Sequence, residues 1–457
     1  MIKLREHKHL TGGLPIERFA PPKIAYIPLS QHLGKACIPQ VRVGDQVSLG
    51  QKIASCQAHV LAPIHASISG KVTGLRDHPH PLLGRCKAIV INGDGENRPS
   101  FGSAQDRQTT DHPSASLPSF SSGLRGTSRA QTEIDKLRPE DIRGIVGDAG
   151  IVGMGGAGFP THIKLKPPKP VDSLIVNGAE CEPYLTADYC LMLEKTSEII
   201  SAVGLIVRCL GVKQVYIAIE DNKPGAIKAF QSKIQDIPRL RSGEAGYEIR
   251  ILKSMYPQGG EKQLIKNILG REVPSGKLPF DVGVVVHNIA TAFAVYEAVY
   301  LNKPLYERIV TVSGSCLSSP KNILARIGTP IRELIGHCGP LKDQPAKIVV
   351  GGPMMGIAQC TDAVPVIKTT SGIILLNKRE AALNEEEACI RCGACVRDCP
   401  AGLMPCLLNL ACEKELWAQA KDDSVLDCIE CGVCNYVCPA NRNLVQSIKR
   451  AKLEAAR

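Results

Sequence analysis

A run of twelve residues that contains four cysteines and ends in proline occurs twice near the end of the chain. The two runs, CIRCGACVRDCP and CIECGVCNYVCP, begin at Cys389 and Cys428, so the repeat is offset by 39 residues. Each run reads C-x2-C-x2-C-x3-C-P, the spacing with which two-cluster ferredoxins hold three corners of one cluster and one corner of the other. The repeat therefore predicts a small domain that binds two [4Fe-4S] clusters.

The fourth cysteine of each run is expected to cross over to the cluster of the other run, because it lies too far along to close its own cube. One cluster is thus assigned to Cys389, Cys392, Cys395 and Cys438. The other is assigned to Cys428, Cys431, Cys434 and Cys399. Zinc is the alternative, but structural zinc sites favour paired C-x2-C motifs or histidines over two runs of four.

The composition of the chain argues against a membrane-spanning, secreted or nucleic-acid-binding protein. The chain has 457 residues, 19 cysteines and a formal net charge of +11, and it contains no uninterrupted apolar run of membrane-spanning length. The N-terminus MIKLREHKHLTGG lacks the apolar stretch of a signal peptide, so a cytoplasmic protein with reduced thiols is expected. The basic residues are scattered and aromatic residues are few, which argues against nucleic-acid binding.

The pattern along the chain predicts several modules. Residues 1–93 contain short strands and turns similar to the small β-sandwich of lipoyl and biotinyl domains, without their lysine-bearing turn, and residues 94–138 form a Ser-, Gln- and Pro-rich linker. Buried strands alternating with helices over 139–305 predict an α/β core with a parallel sheet. A β-grasp module at 306–345, a connecting segment with GGPMMG at 346–380 and the two-cluster domain at 381–457 complete the predicted order.

A glycine-rich loop, GMGGAGFPTHIKL, opens the α/β region. Gly153, Gly155 and Gly158 fit G-x-G-x-x-G, but Pro160 and the following KPPKP do not allow the long helix of a Rossmann site. A loop of this kind can still present successive backbone N–H groups to a phosphate, with Lys164 supplying positive charge nearby.

Polar side chains follow two predicted strands of this region. NGAECEPYLTADYCLM places Asn177, Glu180 and Glu182 after the strand DSLIV, and HNIAT places Asn288 and Thr291 after another. Ligands of open α/β sheets bind at the carboxyl ends of strands. A cofactor pocket is therefore predicted there, although solvated loop carboxylates are the simpler interpretation of each acidic residue alone.

The order GMGGAGFPTHIKL, NGAECEPYLTADYCLM, GGEKQLI and HNIAT resembles the flavin-binding, NADH-oxidising subunit of respiratory complex I. With the N-terminal β module, GGPMMG and the two ferredoxin motifs, nearly the whole chain resembles the RnfC family, the C subunits of ion-translocating Rnf electron transport complexes. The resemblance implies an α/β core of the complex I flavin-subunit type and a β-grasp module of the SLBB type.

The resemblance also implies roles for individual residues. Those implied at the flavin phosphate and NADH are Gly155, Gly156, Gly158 and Lys164. Asn177 and Glu180 are implied near the flavin ring, and Glu261, Asn288 and Thr291 are implied at further positions of the flavin pocket. Glu182 is implied near the nicotinamide nucleotide. Ala179 and His287 depart from the complex I pattern, which has an acidic residue and an asparagine there.

The implied activity is electron transfer between NADH, FMN and the two [4Fe-4S] clusters, coupled by membrane subunits to ion translocation. FMN and NAD(H) are the expected cofactor and substrate, and ferredoxin or another iron–sulfur carrier is the expected partner, with no nucleic acid. The expected location is the cytoplasmic side of the bacterial inner membrane, as a peripheral protein. The alternatives are a soluble flavin/iron–sulfur reductase similar to the cobalamin reductase of microcompartments, and a pure iron–sulfur relay without a nucleotide site.

Overall fold

The computed structural model describes residues 1–57, 60–95, 129–235, 245–382 and 385–455. Within these ranges the strands, β1 to β17 in chain order, are Ile16–Arg18, Ile24–Pro28, Ile38–Pro39, Gln46–Val47, Lys52–Ser55, Ile64–His65, Gly70–His80, Gly84–Gly93, Ser173–Gly178, Gln214–Glu220, Gly246–Leu252, Val284–Asn288, Glu307–Ser313, Lys321–Arg326, Lys347–Val350, Ile357–Gln359 and Gly372–Leu376. Most of the predicted linker at 94–138 lies outside the described residues.

The α-helices of the same ranges, α1 to α14 in chain order, are Gln131–Asp135, Pro139–Asp148, Thr161–Lys164, Ala187–Glu194, Thr196–Leu210, Pro224–Gln235, Glu261–Leu269, Ile289–Leu301, Ile331–His337, Ala394–Arg397, Pro405–Glu413, Trp417–Asp422, Val433–Tyr436 and Leu444–Ala455. Short 3-10 helices occupy Lys8–Leu10, Pro279–Val282 and Val425–Asp427. Over the described residues, every helix is too short or too polar to cross a membrane.

A four-stranded parallel sheet forms the centre of the α/β region, in the order β11-β10-β9-β12. Both faces of β9 are covered, because Leu174 and Val176 pack with α5 and α8 while Ile175 packs with Leu264 and Ile265 of α7. Burial on both faces explains the continuous apolar runs from which these strands were predicted. The carboxyl ends of β9 and β12 meet side by side at one edge of the sheet.

The N-terminal β module consists of two small sheets with one core between them. The sheets run β2-β8-β7-β4 and β3-β5-β6, and the core includes Ile27, Ile53, Ile64 and Ile89. This sandwich agrees with the fold expected from the alternating apolar pattern.

A third, six-stranded sheet runs β1-β14-β13-β17-β15-β16. The strands of this sheet come from more segments of the chain than the predicted modules allow, in two respects. Strand β1 comes from the N-terminal segment and pairs in parallel with β14, and β15 to β17 come from the segment predicted as a connection. A three-residue strand and single buried strands of a mixed sheet have no periodicity that distinguishes them from loop or linker.

The C-terminal region is built from short helices around the two cysteine motifs. Helices α11, α12 and α14 pack together through Leu408, Ala420 and Ile448. The basic amphipathic helix predicted at the end of the chain is present as α14, and its apolar face is buried in this small core.

Candidate cofactor sites

Asn177 joins three segments at the carboxyl edge of the parallel sheet. Its Nδ2 donates to the carbonyl oxygen of Gly259 at 2.9 Å, and its Oδ1 accepts from the backbone N–H of Ala179 at 3.0 Å. In the register of the sheet Asn177 lies opposite Asn288. The edge predicted from the sequence therefore exists, and the motifs that follow β9 and β12 lie together there.

The glycine loop is fixed at its ends and open in its middle. The N–H of Met154 donates to Oγ1 of Thr291 at 3.0 Å, and the carbonyl of Gly158 accepts from Leu33 at 3.1 Å. A Cβ on Gly155 would lie 2.9 Å from Nδ2 of Asn288, whereas a Cβ on Gly156 would meet no atom within 4 Å. The backbone at Gly156 is thus accessible to a phosphate. The helix that follows, α3, has only four residues, in agreement with the exclusion of a Rossmann site.

Asn288 begins helix α8 and supports the glycine loop. Its Oδ1 accepts from the N–H groups of Ala290 and Thr291 at 2.8 and 3.4 Å, and its Nδ2 donates to Asp188 at 2.6 Å. These bonds position the glycine loop and the first turn of helix α8.

Replacing Asn288 with alanine is expected to lower the free energy of unfolding by about 1–2 kcal/mol, because loss of an N-cap acceptor costs about that amount. Asn288→Ser keeps a capping oxygen, so it should recover part of the lost stability. Like Asn288→Ala, it lacks the Nδ2 donor to Asp188, so the recovery should be incomplete. Denaturant titration of the two variants measures the difference. Equal stability of Asn288→Ala and the parent would contradict the capping role.

Lys164 and Glu261 form an ion pair near the carboxyl edge of the parallel sheet. Their Nζ and Oε1 atoms are 2.6 Å apart, and the side chains are 30% and 39% exposed. His287 is buried nearby, with no hydrogen-bond partner for Nε2 among the described residues. Burial and the charge of Lys164 lower the pKa of His287 to about 3, so its imidazole is neutral.

Glu180 and Glu182 lie on the segment after β9, but their carboxylates bond to the protein itself. Glu180 accepts from the N–H groups of Asp188 and Tyr189, at the start of α4, at 2.8 and 3.2 Å. Glu182 accepts from Met354 and Met355 of GGPMMG at 3.1 and 2.9 Å. In this conformation both carboxylates accept hydrogen bonds from backbone N–H groups of other segments of the chain.

The Glu182 contact predicts a specific dependence of stability on pH. Burial raises the pKa of Glu182 to about 7, although the Met354 and Met355 N–H donors lower it. The folded protein then binds more protons than the unfolded chain between the ordinary pKa of a glutamate and pH 7. The free energy of unfolding should therefore fall as pH rises through that window, by about 1.4 kcal/mol for each unit by which the pKa is raised.

Glu182→Gln removes this titration and should reduce the loss of stability between about pH 5 and about pH 7. Thermal unfolding of both proteins across that range is the measurement. Glu272→Gln, at an exposed glutamate, is the matched control and should leave the slope unchanged. Parallel pH profiles of parent and Glu182→Gln would contradict the assignment.

The second cysteine motif surrounds one cavity together with the last cysteine of the first motif. Cys428, Cys431, Cys434 and Cys399 all line it. Burial, with the thiols of Cys428 and Cys399 close by, raises the pKa of Cys431 to about 11. This is the set of side chains that the predicted crossing ligand requires, and four thiols around one cavity fit a [4Fe-4S] cluster.

The first motif lies nearer the protein surface. Cys389 and Cys392 are exposed, and Cys395 is half-buried. Burial and the neighbouring thiols of Cys406 and Cys438 raise the pKa of Cys395 to about 11. Cys438, predicted as the crossing ligand of this cluster, is therefore next to Cys395.

The two motifs repeat in backbone conformation as well as in sequence. Left-handed residues recur at the offset of 39, as the pairs Arg391 and Glu430, Gly393 and Gly432, and Gly402 and Asn441. A short helix follows each central glycine, at α10 and α13. The sequence repeat therefore reflects two structurally equivalent loops.

The second motif packs directly on the α/β region. The hydroxyl of Tyr256 donates to the carbonyl of Cys431 at 2.7 Å, and Cys181 and Met354 pack in the same apolar cluster. Gln263 of α7 donates to the carbonyl of Pro400 at 3.4 Å. The buried motif thus faces the sheet edge and GGPMMG, while Cys389 and Cys392 of the other motif face solvent.

Sequence reasoning missed two residues that build this arrangement. Nζ of Lys8 donates to the carbonyls of Glu180, Glu182 and Leu185 at 2.7, 2.9 and 2.6 Å, which fixes the turn after β9. Tyr256 is buried at the contact with the cysteine loop. Lys8 lies in an ordinary charged segment, and neither residue belongs to a recognisable motif.

Three family models match successive parts of the chain. The RnfC barrel sandwich hybrid domain matches residues 2–96, the Nuo51 FMN-binding domain matches 146–297, and the SLBB domain matches 309–358. These matches confirm the predicted β-sandwich, the flavin-type α/β core and the SLBB-type module.

Curated relatives match nearly the whole chain. The C subunit of the proton-translocating ferredoxin:NAD(+) oxidoreductase complex of Clostridium ljungdahlii is 45% identical, over 98% of this chain and 92% of its own. The C subunit of the Na(+)-translocating complex of Acetobacterium woodii is 41% identical, over 98% and 94%. The C subunit of the ion-translocating oxidoreductase complex of Rhodobacter capsulatus is 42% identical, over 98% and 80%.

A solved structure shares the fold at lower identity. The NAD+-reducing [NiFe]-hydrogenase in the H2-reduced state superposes with a TM-score of 0.50 and 19% identity, over 71% of this chain and 66% of that one. From the relatives that match it almost end to end, the chain belongs to the RnfC family, the C subunits of ion-translocating oxidoreductase complexes.

Proposed function

We propose that this chain is the electron-input subunit of a membrane-bound, ion-translocating ferredoxin:NAD+ oxidoreductase, in which partner membrane subunits move the ion. The observation that carries the proposal is the contact of the buried cysteine motif with the edge of the flavin-type sheet through Tyr256 and Cys431. It brings the predicted electron-carrying sites of one chain side by side. The relatives support the complex to which such a subunit belongs.

The proposed cofactors are FMN and two [4Fe-4S] clusters, with NAD(H) as substrate. When bound, FMN exchanges electrons with NAD(H) in pairs and with clusters singly, and each cluster carries one electron. The open backbone at Gly156 fits a flavin phosphate, and Lys164, later in the same motif, supplies positive charge. The eight motif cysteines are the proposed cluster ligands, in the crossed arrangement given above.

The other site residues take supporting roles in this proposal. Gly155, Gly158, Asn288 and Thr291 hold the shape of the glycine loop, and Asn177 and Glu261 line the sheet edge. Glu180 and Glu182 position α4 and GGPMMG through their hydrogen bonds. Their contacts near the flavin ring and the nicotinamide nucleotide, which the resemblance implies, remain part of the proposal. We assign no catalytic acid or base, because the redox chemistry belongs to the cofactors.

The two cysteine motifs differ in exposure, and this difference suggests which motif exchanges electrons with which partner. The motif at 428–434 faces the flavin-type domain, and the motif at 389–395 presents Cys389 and Cys392 to solvent. We assign the exposed motif to exchange with ferredoxin or another iron–sulfur carrier of the complex. We assign the chain to the cytoplasmic side of the inner membrane, as a peripheral protein of the complex.

Membranes from a deletion strain provide the test. They should lose ferredoxin:NAD+ reductase activity, regain it with the parent chain and fail to regain it with Gly156→Val. Gly144→Ala, at an unobstructed position of helix α2, is the matched control and should restore activity. Unchanged activity in membranes without the chain, or a fully active chain that never associates with membranes, would favour the soluble reductase instead.

A further inference from the structure

A second group of metal-ligating side chains lies in the N-terminal β module, remote in sequence from the cysteine motifs. His32, Cys37 and Cys56 each offer a ligand atom, and these atoms all lie within 4.8 Å of one another. His32 is 8% exposed and Cys37 is 3% exposed, and Cys56 is partly buried. Imidazole nitrogen and cysteine sulfur are both common metal ligands in proteins.

The geometry follows from strand pairing. Ile38 of β3 lies opposite Ser55 of β5 in an antiparallel register, so the next pair along the ladder is Cys37 with Cys56. His32 reaches the same point from the loop that precedes β3. The sulfur of Cys37 also contacts the carbonyl of Ala62, at 3.5 Å.

His32 is the residue that points to a ligand. Among the described residues its ring nitrogens lack a well-formed hydrogen bond. Burial lowers the pKa of His32, although the backbone of Val60 lies close enough to oppose that shift. A buried polar group without a good partner destabilises the fold. A disulfide between Cys37 and Cys56 would occupy both sulfurs and leave His32 unpaired. A metal ion accepts all three donors at once.

We propose that His32, Cys37 and Cys56 bind one zinc ion. Imidazole and thiolate donors suit zinc, which binds nitrogen at about 2.0–2.1 Å and sulfur at about 2.3 Å in a tetrahedron, so its ligand sulfurs lie about 3.8 Å apart. Donor atoms that already lie within 4.8 Å of one another reach that spacing by small side-chain rotations. Water completes the fourth position, on the partly exposed side of Cys56.

The charges around the site are compatible with this assignment. Zinc with two thiolates is neutral, so it can be buried beside Lys368. The Nζ of Lys368 donates to the carbonyls of Pro63 and Gly150, each at 2.6 Å.

The proposed zinc site lies next to the glycine loop, which gives the metal a structural role. His32 lies against the glycine loop, since a Cβ on Gly158 would be 3.4 Å from its Cα, and Leu33 donates to the carbonyl of Gly158. The backbone N–H of Lys368 also donates to Gln31 of the same loop at 3.1 Å. Zinc would therefore fix the loop at Gln31–Leu33, which contacts the glycine loop. This role does not depend on which electron carriers the protein uses.

The test is zinc analysis of the full-length, cluster-loaded protein purified anaerobically from zinc-containing medium. Mass spectrometry of the metals should find about one zinc per chain in addition to iron. Zinc-edge X-ray absorption should show two sulfur and two nitrogen or oxygen neighbours. A four-sulfur shell would instead indicate zinc in the cluster motifs and would overturn the proposal.

Variants provide a separate measurement. Cys37→Ser and Cys56→Ser should each reduce bound zinc at least tenfold with iron content unchanged, and Cys86→Ser, in the same module, should retain the parent level. Zinc content that is negligible in the parent would overturn the proposal. So would a Cys37–Cys56 disulfide, detected by peptide mapping after alkylation of free thiols.

Discussion

Replacing Cys431 with serine is expected to stop NADH from reducing the iron–sulfur clusters while leaving the reduction of FMN by NADH intact. Cys431 is buried at the cavity that faces the flavin-type domain, and its carbonyl accepts the bond from Tyr256. Serine is a poor ligand for iron, so this cluster should be lost. Iron content should fall by about half, because the other proposed cluster keeps its four predicted cysteine ligands.

Cys392→Ser is the matched variant, because Cys392 occupies the equivalent position of the exposed motif. It should also lose about half of the iron, but NADH should still reduce the remaining cluster. Cys412→Ala, at a buried cysteine outside both predicted ligand sets, should keep all of the iron. Anaerobic titration with NADH, read by optical and electron paramagnetic resonance spectra, separates these cases. Reduction of the remaining cluster in Cys431→Ser and its absence in Cys392→Ser would reverse the proposed order.

Gly156→Val is expected to abolish FMN binding without unfolding the protein. A Cβ at Gly156 meets no protein atom within 4 Å, so the stability of the protein should change by no more than about 0.5 kcal/mol. The same side chain would occupy the space in which a phosphate approaches the backbone. A loss of FMN affinity of about tenfold or more is expected, equivalent to at least about 1.4 kcal/mol of binding free energy.

Two variants define the specificity of this result. Gly144→Ala should retain FMN, because its position is equally unobstructed but lies outside the loop. Gly155→Ala should lose FMN and stability together, because its Cβ would press on Asn288. Dithionite should still reduce the clusters of Gly156→Val. Normal flavin content in Gly156→Val would show that the open middle of the loop is not the phosphate site.

The repeated conformation of the two cysteine loops was the most predictable part of the molecule, because residue spacing within one loop is a local property. The offset of 39 residues appears again in the left-handed residues of both loops. The parallel sheet was also predictable, since strands buried on both faces produce continuous apolar runs. In both cases the information lies within a few neighbouring residues.

The contacts between distant segments could not be predicted in this way. Lys8 binds the turn after β9 across 172 residues of sequence, and the carboxylate of Glu182 accepts from GGPMMG across the same separation. The sequence marks Glu182 as an acidic residue after a strand, but its partners depend on how the modules pack. Its predicted role near the nicotinamide nucleotide comes from the resemblance, and the structure adds its contact with GGPMMG.

The most direct test of the central claim is anaerobic titration of the FMN-loaded, cluster-loaded chain with NADH. Flavin bleaching followed by the signals of reduced clusters is the predicted result, with the same cluster signals produced by dithionite. Clusters that dithionite reduces but NADH leaves oxidised, in protein that retains FMN, would contradict the assignment of this chain as the subunit that exchanges electrons with NAD(H).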